Sequence, residues 1–213
     1  MRAPDEDSAT TDHPTEPDWF AAARKPLREI NARLLELLAR APHNPDHARL
    51  PVARELHDIV QYMEPAARKQ AAACPFLLVD AGFQAALRWA RAPVDVEPPG
   101  VPAACFPQAQ AIELTHMTLT FAWSLVRSHR DAASLLLGVS TACAAVIADL
   151  RLQELQHIAS EHYDWIRPRW ENRPEVWRRL LTTAHSVKGS SLAHLDFHGL
   201  HLFFGDLLSD APS

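Results

Sequence analysis

Arginine and tryptophan crowd one stretch of this 213-residue chain. Trp165-Ile166-Arg167-Pro168-Arg169-Trp170-Glu171-Asn172-Arg173 continues to Trp177-Arg178-Arg179, so fifteen residues hold five arginines and three tryptophans. A guanidinium offers a planar fork of donors that matches phosphate or carboxylate two bonds at a time. Indole stacks on bases and sugars, and Trp with Arg is also typical of protein hot spots. Arg167, Arg169, Arg173, Arg178 and Arg179 are therefore candidate contacts to nucleic acid or to a partner. The alternative is internal, with tryptophans in the core and arginines lying across their faces. Trp170 and Trp177 are expected in the core.

The segment 140–161 has the spacing of a helix–turn–helix, and its second helix would offer Gln153, Glu154, Gln156, His157 and Ser160 outward. Gln153 and Gln156 are candidate contacts because glutamine can hydrogen-bond adenine at two points. No Lys or Arg follows Arg151 in that helix, which makes it a poor reader of bases. His194, His198 and His201 share one face of a continuous helix, a spacing that suits zinc, but Gly199 interrupts it and no cysteine lies nearby. A polar stripe opposite Leu195, Leu202, Phe203, Phe204 and Leu207 explains them as well. No metal, cofactor or catalytic residue is expected. Cys74 reads as a buried apolar residue rather than a nucleophile.

Other chemistries are missing their signatures. With 6 glycines in the chain, no glycine-rich phosphate loop can be written, and no GxSxG elbow or HExxH zinc helix is present. The expectation is a protein that is not an enzyme. Net charge is −5, so any nucleic-acid contact must come from a local patch or a basic partner. Cys74, Cys105 and Cys143 lack CxxC spacing and suit a reducing compartment. No signal peptide or membrane-length apolar run is present, which predicts a cytoplasmic protein.

The elements that must position these residues are helices. Residues 1–17 are acidic and proline-punctuated and predict a disordered tail. A proline-rich linker over 92–108 separates an N-terminal helical half, 18–91, from a C-terminal helical domain, 109–185. The apolar tail 186–213 either docks as a last helix or faces a partner. Leu27, Ile30, Leu34, Leu37 and Leu38 predict a helix over 26–40 opened by Pro26; Leu56, Ile59, Val60 and Met63 predict a second; Pro65 opens a third. After the linker, Leu114, Met117, Phe121 and Leu125 share a stripe. Cys143, Val146, Ile147 and Leu150 share another, capped by Ser140, and Leu152, Leu155 and Ile158 a third. Asn172 and Glu175 have capping-box spacing before Trp177 and Leu181. The fold class is all-α, a bundle of short helices in two halves. Phe121, Val146, Ile147, Leu150, Leu155 and Ile158, with Trp170 and Trp177, are the expected core or interface.

The halves share an apolar register at a shift of 87 residues. Leu27 falls on Leu114, Ile30 on Met117, Leu34 on Phe121, Leu38 on Leu125, Phe76 on Tyr163 and Phe83 on Trp170. A diverged repeat has this pattern, and so do any two halves made of short helices.

The run Leu137-Gly138-Val139-Ser140, the helix through Ala144, Val146, Ile147, Ala148 and Leu150, then Leu152, Leu155, Ile158-Ala159 and the closing Arg169-Trp170-Glu171 resemble the FlhD family of flagellar transcriptional activator subunits. The likeness is gapless over 137–171 and looser over 112–181. It implies a small helical dimer working with an FlhC-like regulator on promoter DNA. Two departures stand out. Ile166 occupies the place of a cysteine often seen before the closing element, which removes an intersubunit disulfide. The extra N-terminal half implies that self-association is either a dimer or an internal pseudo-dimer. The function implied is transcriptional regulation in a protein complex, with a helical adaptor that does not bind DNA as the alternative.

Overall fold

A computed structural model describes residues 18–40, 51–91 and 104–186. The expectations for the tail 1–17, most of the proline linker, the tail after Ser186 and the His194, His198 and His201 stripe lie outside the described residues.

The first helix, α1 (Asp18–Arg40), begins eight residues before Pro26. Periodicity from Leu27 onward missed that turn. Phe20 and Ala23 are buried on the same face, and their burial offsets the backbone bond that an interior proline removes. Helices α2 (Pro51–Tyr62) and α3 (Pro65–Ala72) follow, with Pro65 in the first turn of α3, where its missing N–H costs nothing. A two-residue strand β1 (Val79–Asp80) leads to α4 (Ala86–Arg91).

After the linker come α5 (Gln108–Ser128), α6 (Arg130–Leu137), α7 (Thr141–Asp149) and α8 (Leu152–Glu161). A single 3₁₀ turn (Tyr163–Trp165), strand β2 (Arg167–Pro168) and α9 (Pro174–Ser186) complete the described chain. The fold is all-α apart from that two-stranded ribbon. Gly138 ends α6 at φ +69°, the left-handed cap that only glycine adopts without strain. Ser140 caps α7 by accepting the Cys143 backbone N–H at 3.2 Å. The Asn172–Glu175 capping box does not form, because the first helical residue is Pro174. The box occurs instead at α8, where the Glu154 carboxylate accepts the Arg151 backbone N–H at 2.7 Å.

The two halves meet through one continuous core. Helix α1 packs on α2, α3 and α5, while α5 packs on α6, α7 and α8. Across the halves α4 packs on α7, and α9 packs on α2 and α3. A shift of 87 residues carries the first residue of α3 onto the first of α8, and a shift of 88 carries β1 onto β2 and the start of α4 onto that of α9. One extra residue between the start of α8 and β2 accounts for the change. At the shift of 88, Gly82 (φ +71°) rather than Phe83 falls on Trp170 (φ +55°).

Backbone bonds follow the same register. Ala85 N–H donates to Gly82 O at 2.9 Å, and Arg173 N–H donates to Trp170 O at 2.8 Å. The indole bonds depart from it by one position: Trp89 Nε1 donates to Gly82 O at 3.1 Å, whereas Trp177 Nε1 donates to Arg169 O at 2.6 Å. The strands pair antiparallel, Val79 with Pro168 and Asp80 with Arg167, so each residue faces the equivalent of its neighbour. Packing of α4 on α7 and of α9 on α2 obeys the same exchange. The exchange is partial, because α9 also packs on α3 whereas α4 makes no comparable contact with α8.

Candidate functional site

Helix α5 fixes the α7–α8 corner. Trp123 Nε1 donates to Leu150 O and Arg127 Nη1 to Ala148 O, both at 2.8 Å. Two carbonyls left over at the end of α7 are thereby satisfied, one of them by a cation placed at the negative end of the helix. Arg127 in turn lies over the Trp123 ring at 4.7 Å. The corner buries Ile147, Leu150, Leu155 and Ile158, with Phe121 beneath and Val146 partly covered.

Outward, α8 exposes Gln153, Gln156 and His157, while Leu152 is exposed at its first turn. Arg151, the cation nearest this face, binds the Glu154 carboxylate through its guanidinium at 2.8 Å. That pairing raises the Arg151 pKa and lowers the Glu154 pKa.

The arginine–tryptophan cluster divides between the inside and the surface. Trp177 is fully buried and Trp165 nearly so. Arg169 is enclosed, with its guanidinium 4.8 Å over the half-buried Trp170 ring and Nη1 donating to Leu77 O at 3.4 Å. Desolvation lowers its pKa. Its side chain fills the space where a Cβ on Gly138 would sit, so the glycine serves both the cap and the arginine. Arg167 pairs with Glu171 at 3.3 Å, its side chain only 12% exposed, and Arg173 pairs with Glu175 at 3.4 Å. Arg178 and Arg179 are exposed on α9.

Several of these contacts cross the halves. Arg88 lies 4.2 Å over the Trp165 ring and 3.9 Å from the Asp164 carboxylate. Trp165 meets Trp89 edge-on at 5.5 Å, and Trp170 meets Phe76 edge-on at 5.6 Å. The backbone N–H of Arg169 donates to Leu78 O at 2.7 Å. Trp165, Arg169 and Trp170 therefore tie one half to the other, Arg167 and Arg173 form their ion pairs within their own half, and the exposed members are Arg178 and Arg179.

Sequence reasoning missed Asn31. It is fully buried on α1, donates through Nδ2 to Phe76 O at 2.9 Å and accepts the Leu78 N–H at 2.8 Å, tying α1 to the loop before β1. The available signal was an amide placed between Ile30 and Leu34 on an apolar face.

The three cysteines are buried and free. Burial pushes all three thiols up, Cys105 to about 12. Among the described residues no group of histidine, cysteine and carboxylate side chains could hold a metal ion. No single helix among them is long and apolar enough to cross a membrane.

A family model described as flagellar transcriptional activator (FlhD) matches residues 108–199, a span that takes in α5 through α9. No curated protein and no solved structure matches the chain.

Proposed function

We propose, from the premise that residues 108–199 are a flagellar transcriptional activator (FlhD) domain, that the chain regulates transcription at flagellar-type promoters in complex with an FlhC-like partner. The family match is the observation that carries this reading. The family is one of transcription regulators, so the work is binding and positioning rather than chemistry. A cytoplasmic location goes with it.

In this reading the N-terminal half is a diverged second copy, and the chain is an internal pseudo-dimer. Supporting it are the reciprocal packing of α4 on α7 and α9 on α2, the exchanged pairing of β1 and β2, and the matched turns at Gly82 and Trp170. A partner would then meet two like but unequal faces of a single chain. Gln153 and Gln156 on α8, with Arg178 and Arg179 on α9, are the exposed members of the original candidate set and are the proposed contacts.

One observation favours a second reading, a helical adaptor that does not touch DNA. Arg151 is held by Glu154, and Arg167, Arg169 and Arg173 are held within the chain, which weakens the claim of these four arginines on phosphate. A promoter-DNA shift assay separates the two. The regulator reading expects a shift that requires both this chain and an FlhC-type protein and weakens steeply as salt rises. A stable complex of the two proteins that leaves promoter DNA unshifted at low salt would select the adaptor.

A further inference from the structure

A cleft of about 470 Å³ opens between helices α1 and α3 of the N-terminal half, outside the matched residues 108–199. Its floor is Ala32, Leu35 and Ala72, and Asn31 ties the last turn of α3 to α1 by donating through Nδ2 to Ala72 O at 3.4 Å. The rim carries Arg28 and Arg40 from α1 and Arg68 and Lys69 from α3. Two carboxylates also line it, Glu29, which faces Lys25 at 4.0 Å, and Glu36, which pairs with Arg33 at 3.3 Å. Glu36 uses Oε2 in that pair, so Oε1 can still accept. Among the described residues none of the four rim cations forms an ion pair, and Arg68 Nε is buried without an acceptor.

The volume suits a small molecule, whose sites run from roughly 300 to 1,000 Å³. The lining sets the chemistry of what fits. Four cations against two carboxylates leave an excess of two positive charges, and a guanidinium fork matches phosphate two bonds at a time. The floor takes a flat apolar face. An anion running the length of the cleft would meet Glu29 and Glu36, so the negative group must be confined to one part of the ligand. The remainder must bring N–H donors to a carboxylate. Arg28 and Glu36 stand about 12 Å apart along α1, which separates the two kinds of contact. A nucleoside monophosphate has its parts in this order. Its phosphate carries about −1.5 to −2 at pH 7. Its base has apolar faces and an amino edge that donates hydrogen bonds.

The equivalent groove of the other half has lost this character. At the shift of 87 residues Thr115 stands for Arg28, Trp123 for Glu36, Leu155 for Arg68 and Gln156 for Lys69, and Leu155 is fully buried. The cleft with both signs of charge therefore belongs to the N-terminal half alone.

We infer that the α1–α3 cleft binds a nucleoside monophosphate. The phosphate is held by Arg68 and Lys69 with an arginine of α1, the base lies on Ala32 and Leu35, and its amino edge donates to a rim carboxylate. The inference depends neither on DNA binding nor on the family match.

Titration calorimetry of the full chain with GMP and AMP, against guanosine, adenosine and inorganic phosphate, tests it. GMP or AMP should bind one per chain with Kd below about 1 mM, and phosphate or the nucleoside alone about tenfold more weakly or less. The better of the two nucleotides identifies the base. Lys69→Gln should weaken nucleotide binding several-fold, whereas Arg130→Gln, which removes the same charge from the surface of α6, should not. The double variant Glu29→Ala, Glu36→Ala gives the sharpest reading. Loss of base contacts weakens the nucleotide and leaves phosphate binding equal or tighter. Tighter nucleotide binding in that variant would overturn the inference, making the cleft a trap for any anion. It would equally be overturned if neither nucleotide bound at millimolar concentration, if phosphate bound as well as the nucleotides, or if Lys69→Gln and Arg130→Gln had equal effects. Circular dichroism confirms that each variant stays folded.

Discussion

Arg169 illustrates how one residue type serves different ends within a few positions. Arg178 and Arg179 lie on the surface of α9, whereas the Arg169 guanidinium is enclosed between Trp170, Gly138 and the Leu77 carbonyl. Replacing Arg169 by alanine removes a charge-assisted bond and the packing of its stem, a loss of about 2 kcal/mol in urea unfolding. Alanine at Arg178 and Arg179 should change stability by less than about 0.5 kcal/mol each. Gly138→Ala meets both a left-handed backbone and the Arg169 side chain, and is expected to cost at least as much as Arg169→Ala, about 2 kcal/mol or more. From sequence the arginines were indistinguishable, because composition cannot say which of them turn inward.

The buried thiols give a pH test at the same scale. Their folded pKa values lie above the unfolded value, so their contribution to stability is complete below about pH 8.5 and is lost as pH rises toward the folded values. Melting temperature should fall between pH 8 and pH 10.5, and fall less in the Cys74→Ala, Cys105→Ala double variant. Thiol reagents at pH 8 should leave the native chain unmodified and react with all three cysteines once it unfolds.

Among the elements, the helices and their stripes were legible because burial at spacings of three and four is a local property. Ser140 was legible for the same reason, and Ser140→Ala should destabilise the chain by about 1 kcal/mol. Other features required the tertiary structure. The first turns of α1 depend on what Phe20 packs against, and β1 and β2 exist only because two distant loops meet. Asn31 belongs to this group too. Its three bonding partners lie more than forty residues away, and Asn31→Ala should cost about 3 kcal/mol by leaving buried backbone groups unpaired.

At the level of the whole molecule, the all-α class and the family resemblance of the C-terminal half were readable from the order of apolar and small residues. The reciprocal joining of the halves was not, since it depends on which surfaces meet. Arg88 with Trp165, Phe76 with Trp170 and the β1–β2 ribbon tie the halves into one core, so heat should unfold the chain in a single transition followed alike by tryptophan fluorescence and circular dichroism. The regulatory reading faces its most direct test in transcription reconstituted from purified polymerase and a flagellar-type promoter. With an FlhC-type protein present, adding this chain should raise transcript yield several-fold, and Gln153→Ala, Gln156→Ala, Arg178→Ala and Arg179→Ala together should remove the gain while the chain stays folded. Yield that is unchanged by the chain, although the two proteins associate, would contradict the account.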